Sequence, residues 1–397
     1  MTNVDDVGNN EDFPGCLVID TGSEKVRWGI AGPGARPSAI FSTIAAGAPE
    51  PSFGVEIDWL SRAPGSWAAS HALVERGYVV DAAGTERLWR WIVGTQCAGG
   101  AAGVRSVTLA TRPSAEARER ARACEFLLED VGVRAVGTAD QPLLTLLQSG
   151  RTAGAVLELG EGVTHAACYA DGAPCARATA TFVGGRDVTR ALWRGIADAR
   201  DPLDPLPPSA TWADARAAKH SAARAAPAPW ATSAPTRAAA AAQPPTVARL
   251  RDGTALVLGA CRYQCVEPLF APRLAGSPAD GVVDVLHQAI EAVADNGARA
   301  SVLAAGVVLG GGSARIDGLA LRVQNDLAPR IRGSARPLTV VACPAPASAD
   351  DDAWSSAWAG GCILTACPEY QHNGLVTAHD LAERGPACCR NGFVFSH

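Results

Sequence analysis

Short apolar runs that end in an acid and a glycine recur along the chain. Cys16-Leu17-Val18-Ile19-Asp20 reads as a buried strand that delivers a carboxylate into the turn Thr21-Gly22-Ser23, and apolar residues resume at Val26. A hairpin is therefore predicted, with residues 17–20 returning through 26–31. The stretch Ala155-Val156-Leu157-Glu158-Leu159-Gly160-Glu161-Gly162 repeats the plan, and Val307-Val308-Leu309-Gly310-Gly311-Gly312-Ser313 is a third passage from strand to glycine. Between the first two, the pattern predicts a turn and short strand at 74–81 and a helix over 85–92 with Leu88, Trp89 and Ile92 on one face. A strand at 106–110 follows, then a helix over 114–129 entered through a Ser114 cap, a strand at 135–136, and a helix over 143–147 closed by Ser149-Gly150.

Beyond the second passage, residues 163–180 read as two strands joined at Asp171-Gly172, and Gly184-Gly185-Arg186-Asp187 opens a helix. Residues 201–243 change composition, with Pro-rich pieces and the alanine run 238–242. Part is predicted to be loop and 211–225 an Ala-rich helix. A hairpin over 247–261 turns on the two residues Asp252-Gly253. Helices at 284–294 and 319–325 and strands at 302–309 and 338–342 complete the alternation, which is that of an α/β protein.

The chemistry follows from the turns. A glycine after a strand lets successive amide N–H groups point at one anion, while the carboxylate before it can hold a hydrated divalent cation. Two such half-sites face one ligand, and the third passage offers bare backbone against which a flat ring can lie; together they favour a nucleotide. Composition narrows the field. At 397 residues the chain has room for more than one core. Its net charge of −5 argues against a broad nucleic-acid-binding face, so no nucleic-acid partner is expected. The longest apolar run, 302–309, is far short of the ~20 residues that span a bilayer, so no membrane association is expected. The acidic start, with Asp5-Asp6 and Glu11-Asp12, lacks the basic flank and apolar run of a signal peptide, and the 12 cysteines show no CxxC pair. A cytoplasmic protein with reduced thiols is the expectation.

These pieces, in this order, resemble the actin family. Asp20-Thr-Gly-Ser…Gly29-Ile-Ala-Gly32 is similar to the family's first phosphate hairpin, and Ser149-Gly-Arg-Thr-Ala-Gly154…Glu158-Leu-Gly-Glu-Gly-Val-Thr-His165 to its second. Further likenesses are Gly184-Gly-Arg-Asp-Val-Thr189, the segment from Arg262-Tyr-Gln-Cys-Val-Glu-Pro-Leu-Phe-Ala-Pro272, Val308-Leu-Gly-Gly-Gly-Ser313 and Trp358-Ala-Gly-Gly-Cys-Ile-Leu364. The matches run from Cys16 into the C-terminal region, except over 45–70 and 201–246.

The resemblance implies an actin-like ATPase fold, with two duplicated α/β domains of ribonuclease H-like core around a central nucleotide cleft. The small domain is expected over 1–148 plus 356–397, with 43–71 as a shortened outer subdomain. The large one is expected over 149–355, with 184–278 as its outer subdomain. The implied ligand is ATP or ADP with Mg²⁺. Gly22, Ser23 and Arg27 would face the phosphates, and Gly160, Gly162 and Val163 would clamp them from the other domain. Gly185 belongs to the same set, Gly311, Gly312 and Ser313 would support the adenosine, and Asp20 and Glu158 would hold magnesium through water. Gln141 and His165 stand where the family places its attacking water.

Several positions depart from the family. Glu24 replaces a glycine after the first turn and is expected to crowd a phosphate unless it points to solvent. Arg27 replaces a lysine. Glu158 and Glu161 replace aspartates and Leu159 a serine, displacements that phosphoryl transfer tolerates poorly. Ile316 stands in place of the aromatic residue on the base, Trp354 near a C-terminal lysine, and Arg76 at the family's modified histidine, while the family's Lys–Glu pair falls in the Ala-rich segment. These departures imply ATP hydrolysis that is slow or lost. The expected function is a nucleotide-binding structural subunit of a cytoskeletal, motor-associated or nuclear assembly, with other protein subunits as partners, among them actin or actin-related proteins. A polymerising actin-like ATPase is the alternative, and a metabolite kinase of the wider superfamily a more distant one.

Overall fold

The computed structural model describes residues 15–45, 52–54, 70–98, 104–113, 115–199, 206–207, 210–332, 337–345, 355–390 and 392–395. The acidic start, most of the 45–70 excursion, Ser114 and Trp354 lie outside them. Two mixed sheets organise the chain. In the first, the order is Val376–Thr377, Ala135–Asp140, Ser106–Thr111, Cys16–Thr21, Lys25–Ile30, Ser38–Phe41. In the second it is Ala173–Pro174, Thr164–Ala170, Gly154–Leu159, Val307–Gly310, Val340–Ala342, with Thr179–Thr181 also paired to Thr164–Ala170.

Each sheet contains the same four-strand unit: an antiparallel hairpin whose first strand continues into two parallel neighbours. Asp20 lies opposite Arg27 on the hairpin side and Ala110 on the parallel side. Glu158 lies opposite His165 and Gly310 in the corresponding places. The central strands, buried on both faces, are the continuous apolar runs that parallel pairing requires. One core forms around Leu17, Ile19, Leu88, Ile92, Leu109 and Leu127, and a larger one around Leu157, Val188, Leu192, Leu286, Leu309 and Leu319.

The chain leaves the first sheet through the helix Gln141–Gln148 and returns through Ser356–Thr365. These helices cross where Gly360 meets the backbone of Leu144, and Gly361 packs on Val18 of the central strand. The Trp358-Ala-Gly-Gly-Cys sequence thus has a packing reason: any side chain at Gly360 would enter the Leu144 carbonyl.

Beside the first turn, the small hairpin Val74–Glu75 and Tyr78–Val79 turns through Arg76 and Gly77, both left-handed (φ 48° and 80°), and the Gly77 amide donates to Ser23 Oγ at 2.8 Å. It touches the second lobe: Arg76 donates to the Phe182 carbonyl, the Tyr78 and Phe182 rings lie 6.0 Å apart, and Arg186 stands 3.5 Å from Glu75.

Four expectations change. Residues 302–305 finish a helix, Asn296–Ala305, capped by Asp295 Oδ1 on the Ala298 amide at 2.7 Å; the strand begins only at Val307, after Gly306 at φ 82°. A continuous apolar run fits a buried helix end as well as a strand, and the glycine decides. The hairpin Thr246–Arg249 with Ala255–Leu258 turns through three residues, not two: Leu250 pairs with Thr254, and Gly253 (φ 87°) bonds back to the Leu250 carbonyl at 3.0 Å. The helix expected over 114–129 runs Ala117–Glu125 from an N-cap at Glu116, then widens into a π-helical turn Phe126–Val131 ending at left-handed Gly132. Past the Asp171-Gly172 turn, the second strand is broken into Ala173–Pro174 and Thr179–Thr181.

Replacing Gly360 with alanine should cost about 2–3 kcal/mol through forced overpacking. Gly94, exposed in the helix Ala82–Ala98 with open space around it, should instead gain about 0.5–1 kcal/mol as alanine. Denaturant unfolding of the two variants checks the contrast.

Candidate functional site

The two hairpin turns are built alike. The Gly22 amide donates to the Lys25 carbonyl (3.1 Å) and the Gly160 amide to that of Val163 (3.0 Å), leaving Ser23-Glu24 and Glu161-Gly162 as the tips. Both turns border one cavity of about 500 Å³, whose wall includes Asp20, Gly22, Ser23, Arg27, Gln141, Glu158, Gly160, Val163, His165 and Gly311–Ser313. The size suits a small-molecule ligand.

Asp20 and Glu158 sit at the ends of the two central strands, both buried. Asp20 accepts from Gln141 Nε2 through Oδ1 (2.7 Å) and from Ser355 Oγ through Oδ2 (2.7 Å). Glu158 accepts from Thr145 Oγ1 (2.7 Å), which also pairs with Ser356 Oγ (2.9 Å), and Ser356 receives the Gly311 amide at 3.3 Å. Both carboxylates are thus fixed by the two helices that cross between the sheets. Burial pushes the Glu158 carboxyl up to about 8, with the charge of Asp20 adding to the rise against the Thr145 hydroxyl and Arg27. Glu158 folds over Gly310, where a Cβ would collide with its carboxylate.

His165 is buried and held neutral, pushed down to about 4 by desolvation and by Arg112. Arg27 lines the cavity with its Nε buried and without a hydrogen-bond partner. Gly162 and Gly185 do not line the wall. Gly162 packs against the backbone of Arg76, joining the lobes, and Gly185 lies behind Glu161, its carbonyl accepting from Lys219 Nζ at 3.3 Å.

Sequence reasoning missed the helix Trp212–Ala222 as part of the site. Arg216 and Lys219, three residues apart on one face, reach the two tips: Arg216 Nη1 bonds Glu24 Oε1 at 3.0 Å and Lys219 Nζ bonds Glu161 Oε2 at 3.2 Å. Glu24 therefore points to a cation of the second lobe, not to solvent. Burial alone would raise its carboxyl, but Lys219, Arg216 and Arg27 outweigh it and hold the group below its usual range. Burial carries Glu161 up to about 7, Lys219 opposing and Glu24 adding. The Ala-rich segment thus does supply a lysine to the cavity, one of only two in the chain. Thr145, Ser355 and Ser356 were missed as well; Ser355 reads as a helix cap, and it also receives the Trp358 amide at 3.3 Å.

Two lobes of one plan, with acid-tipped hairpins bordering a common cavity, define a duplicated α/β protein with a ligand cleft. The family model described as Actin matches residues 12–205 and 215–393, and the chain belongs to the actin family. It is 27% identical over 386 residues to Actin-like protein 7B of Homo sapiens, covering 93% of this chain and 86% of that protein. It is 28% identical over 314 residues to Centractin of Schizosaccharomyces pombe, covering 77% of each, and 26% identical over 391 residues to Actin-like protein 7B of Macaca fascicularis, covering 93% and 86%. The unmatched internal stretch, 206–214, immediately precedes and enters the helix that carries Arg216 and Lys219.

The Glu158 carboxyl has a pH consequence. Between its ordinary value near 4.5 and about 8 the folded protein keeps a proton that the unfolded chain has lost, so this group's contribution to stability falls as pH rises through that window. Glu158→Gln should remove a slope of about 1 kcal/mol per pH unit, read as the difference between wild-type and variant unfolding free energies from pH 5 to 8. Taking the difference cancels the opposite slope of His165, whose contribution rises with pH between about 4 and 6.5.

Proposed function

We propose that this actin-family chain binds a nucleotide with a divalent cation in the cleft, and that the ligand serves mainly to hold the two lobes together as a structural subunit of a larger protein assembly. The observation that carries the reading is the pair Asp20 and Glu158, one from each lobe, buried beside one cavity. The residues fit such a ligand on two counts. The buried Arg27 Nε has no partner until an anion arrives, and a cation between the carboxylates offsets both the burial that chiefly keeps Glu158 protonated and the smaller repulsion from Asp20. Among the described residues no cluster of three or more metal-ligating side chains occurs, so the cation would keep most of its water, as magnesium prefers.

In this reading Asp20 and Glu158 hold magnesium through water, while Gly22, Ser23, Arg27, Gly160 and Val163 serve the phosphates and Gly162 holds the second turn against Arg76. Gly311, Gly312 and Ser313 support the base and sugar, and Gly185 backs the second turn. The bound cation supplies charge neutralisation. Gln141 is tied to Asp20 through its amide nitrogen, which leaves its carbonyl to accept from a water, and neutral His165 keeps a ring nitrogen able to accept. That both stand in the cavity wall favours, as a second reading, residual hydrolysis by a polymerising ATPase. No helix among the described residues is long and apolar enough to cross a membrane, and protein partners of a cytoskeletal, motor-associated or nuclear assembly are proposed from family membership.

Denaturing the purified protein should release nucleotide in near-stoichiometric amount, retained only while magnesium is present. Added Mg-nucleotide at about 100 times its Kd should stabilise the stripped protein by about 2.7 kcal/mol, and Asp20→Ala or Arg27→Ala should abolish the gain. Absence of both released nucleotide and thermal stabilisation would remove this function. Phosphate release that depends on Gln141 and His165 would turn the assignment to the ATPase.

A further inference from the structure

The tips of the two hairpins carry one glutamate each, and a single helix face meets both. Glu24 bonds Arg216 and Glu161 bonds Lys219. Glu24 and Arg216 belong to different lobes, since Glu24 follows the strand Cys16–Thr21 of the first sheet and Arg216 lies on Trp212–Ala222, packed with the second core. The Phe41 ring reinforces the contact, with Lys25 Nζ 5.2 Å and the Arg216 guanidinium 4.8 Å from its centroid. Arg27, Arg216 and Lys219 all act on the Glu24 carboxylate. Glu24, Arg27 and Lys219 line the cavity directly.

A cationic niche between two glycine turns is where a chain of phosphates would end. Here a side chain from the turn itself supplies the anion. We propose that Glu24 is a built-in substitute for the terminal phosphate of a nucleoside triphosphate, so that the cleft selects nucleoside diphosphates and stays clasped through Glu24 and Arg216 when the terminal phosphate is missing. This rests on the nucleotide reading of the cleft and names which nucleotide it takes. A diphosphate leaves the Glu24–Arg216 pair intact. One more phosphate brings a second anion to the same three cations, and the carboxylate must then either leave Arg216 or stay and repel it. Glu161 does not duplicate the role, because its proton is lost only near neutrality and its partner Lys219 belongs to its own lobe.

The test is calorimetric titration of the full-length, nucleotide-stripped protein with Mg-ADP and with Mg-ATP, in wild type, Glu24→Gln and Glu24→Gly. The wild type should bind Mg-ADP about tenfold more tightly than Mg-ATP, and both variants should bring the ratio close to one by tightening Mg-ATP. The wild-type ratio needs no variant to fold and decides by itself: equal affinities, or a preference for Mg-ATP, would overturn the inference while leaving the nucleotide reading intact. A diphosphate preference that persists in both folded variants would overturn the role of Glu24. Failure of the wild type and both variants to bind either nucleotide would overturn the nucleotide reading and this inference with it.

Discussion

Two carboxylates buried beside one cavity set the terms for the rest of the molecule. Asp20 and Glu158 come from separate sheets, and a buried carboxylate is tolerated only when hydrogen bonds or counter-charges surround it. The hydrogen bonds come from Gln141, Thr145 and Ser355, which belong to the two helices by which the chain passes between the lobes. The crossing of those helices at Gly360 and Leu144 therefore fixes the lobes against each other and the acids against their donors in one stroke.

A second layer of charge surrounds the acids. Arg27 and Arg216 face Glu24 and Lys219 faces Glu161 at the hairpin tips, and the Arg216–Glu24 pair runs from lobe to lobe. Exposed ion pairs contribute little to stability, but these are largely shielded from water and two share a helix face, so they act on the shape of the cleft more than a surface pair would. The hairpin around Arg76 and Tyr78, whose Gly77 lines the same cavity, adds a contact between the lobes through Phe182. Charge and aromatic contact thus both hold the cleft.

Much of this was legible from the chain. Asp20, Glu158 and the glycines beside them stand out because an apolar strand, an acid and a turn are each short-range signals that agree. The duplicated plan was legible for the same reason. Arg216 and Lys219 were not, because their helix lies in an Ala-rich stretch with no sharp hydrophobic period, and what places them is packing against the second core; the one available hint was that lysine occurs only twice in the chain. Ser355 and Thr145 were hidden by double duty, since a hydroxyl before or within a helix already has an ordinary local explanation. The misread strand at 302–305 shows the limit of apolar runs, where Gly306 held the answer. Glu24 was visible as an odd residue, but its direction depended on a partner almost two hundred positions away.

The order of the strands along the chain has its own consequence for how the molecule is made. The second sheet is assembled from residues between Gly154 and Ala342, one continuous stretch, whereas the first needs both its opening strands and the edge strand Val376–Thr377. The returning helix Ser356–Thr365, which packs on Val18, also comes late. On a ribosome, the middle of the chain can close its core while the beginning still waits for the end. The first lobe, with Asp20 and the turn that carries Glu24, is then completed last, and until that moment its central strands present apolar surface to whatever attends the nascent chain.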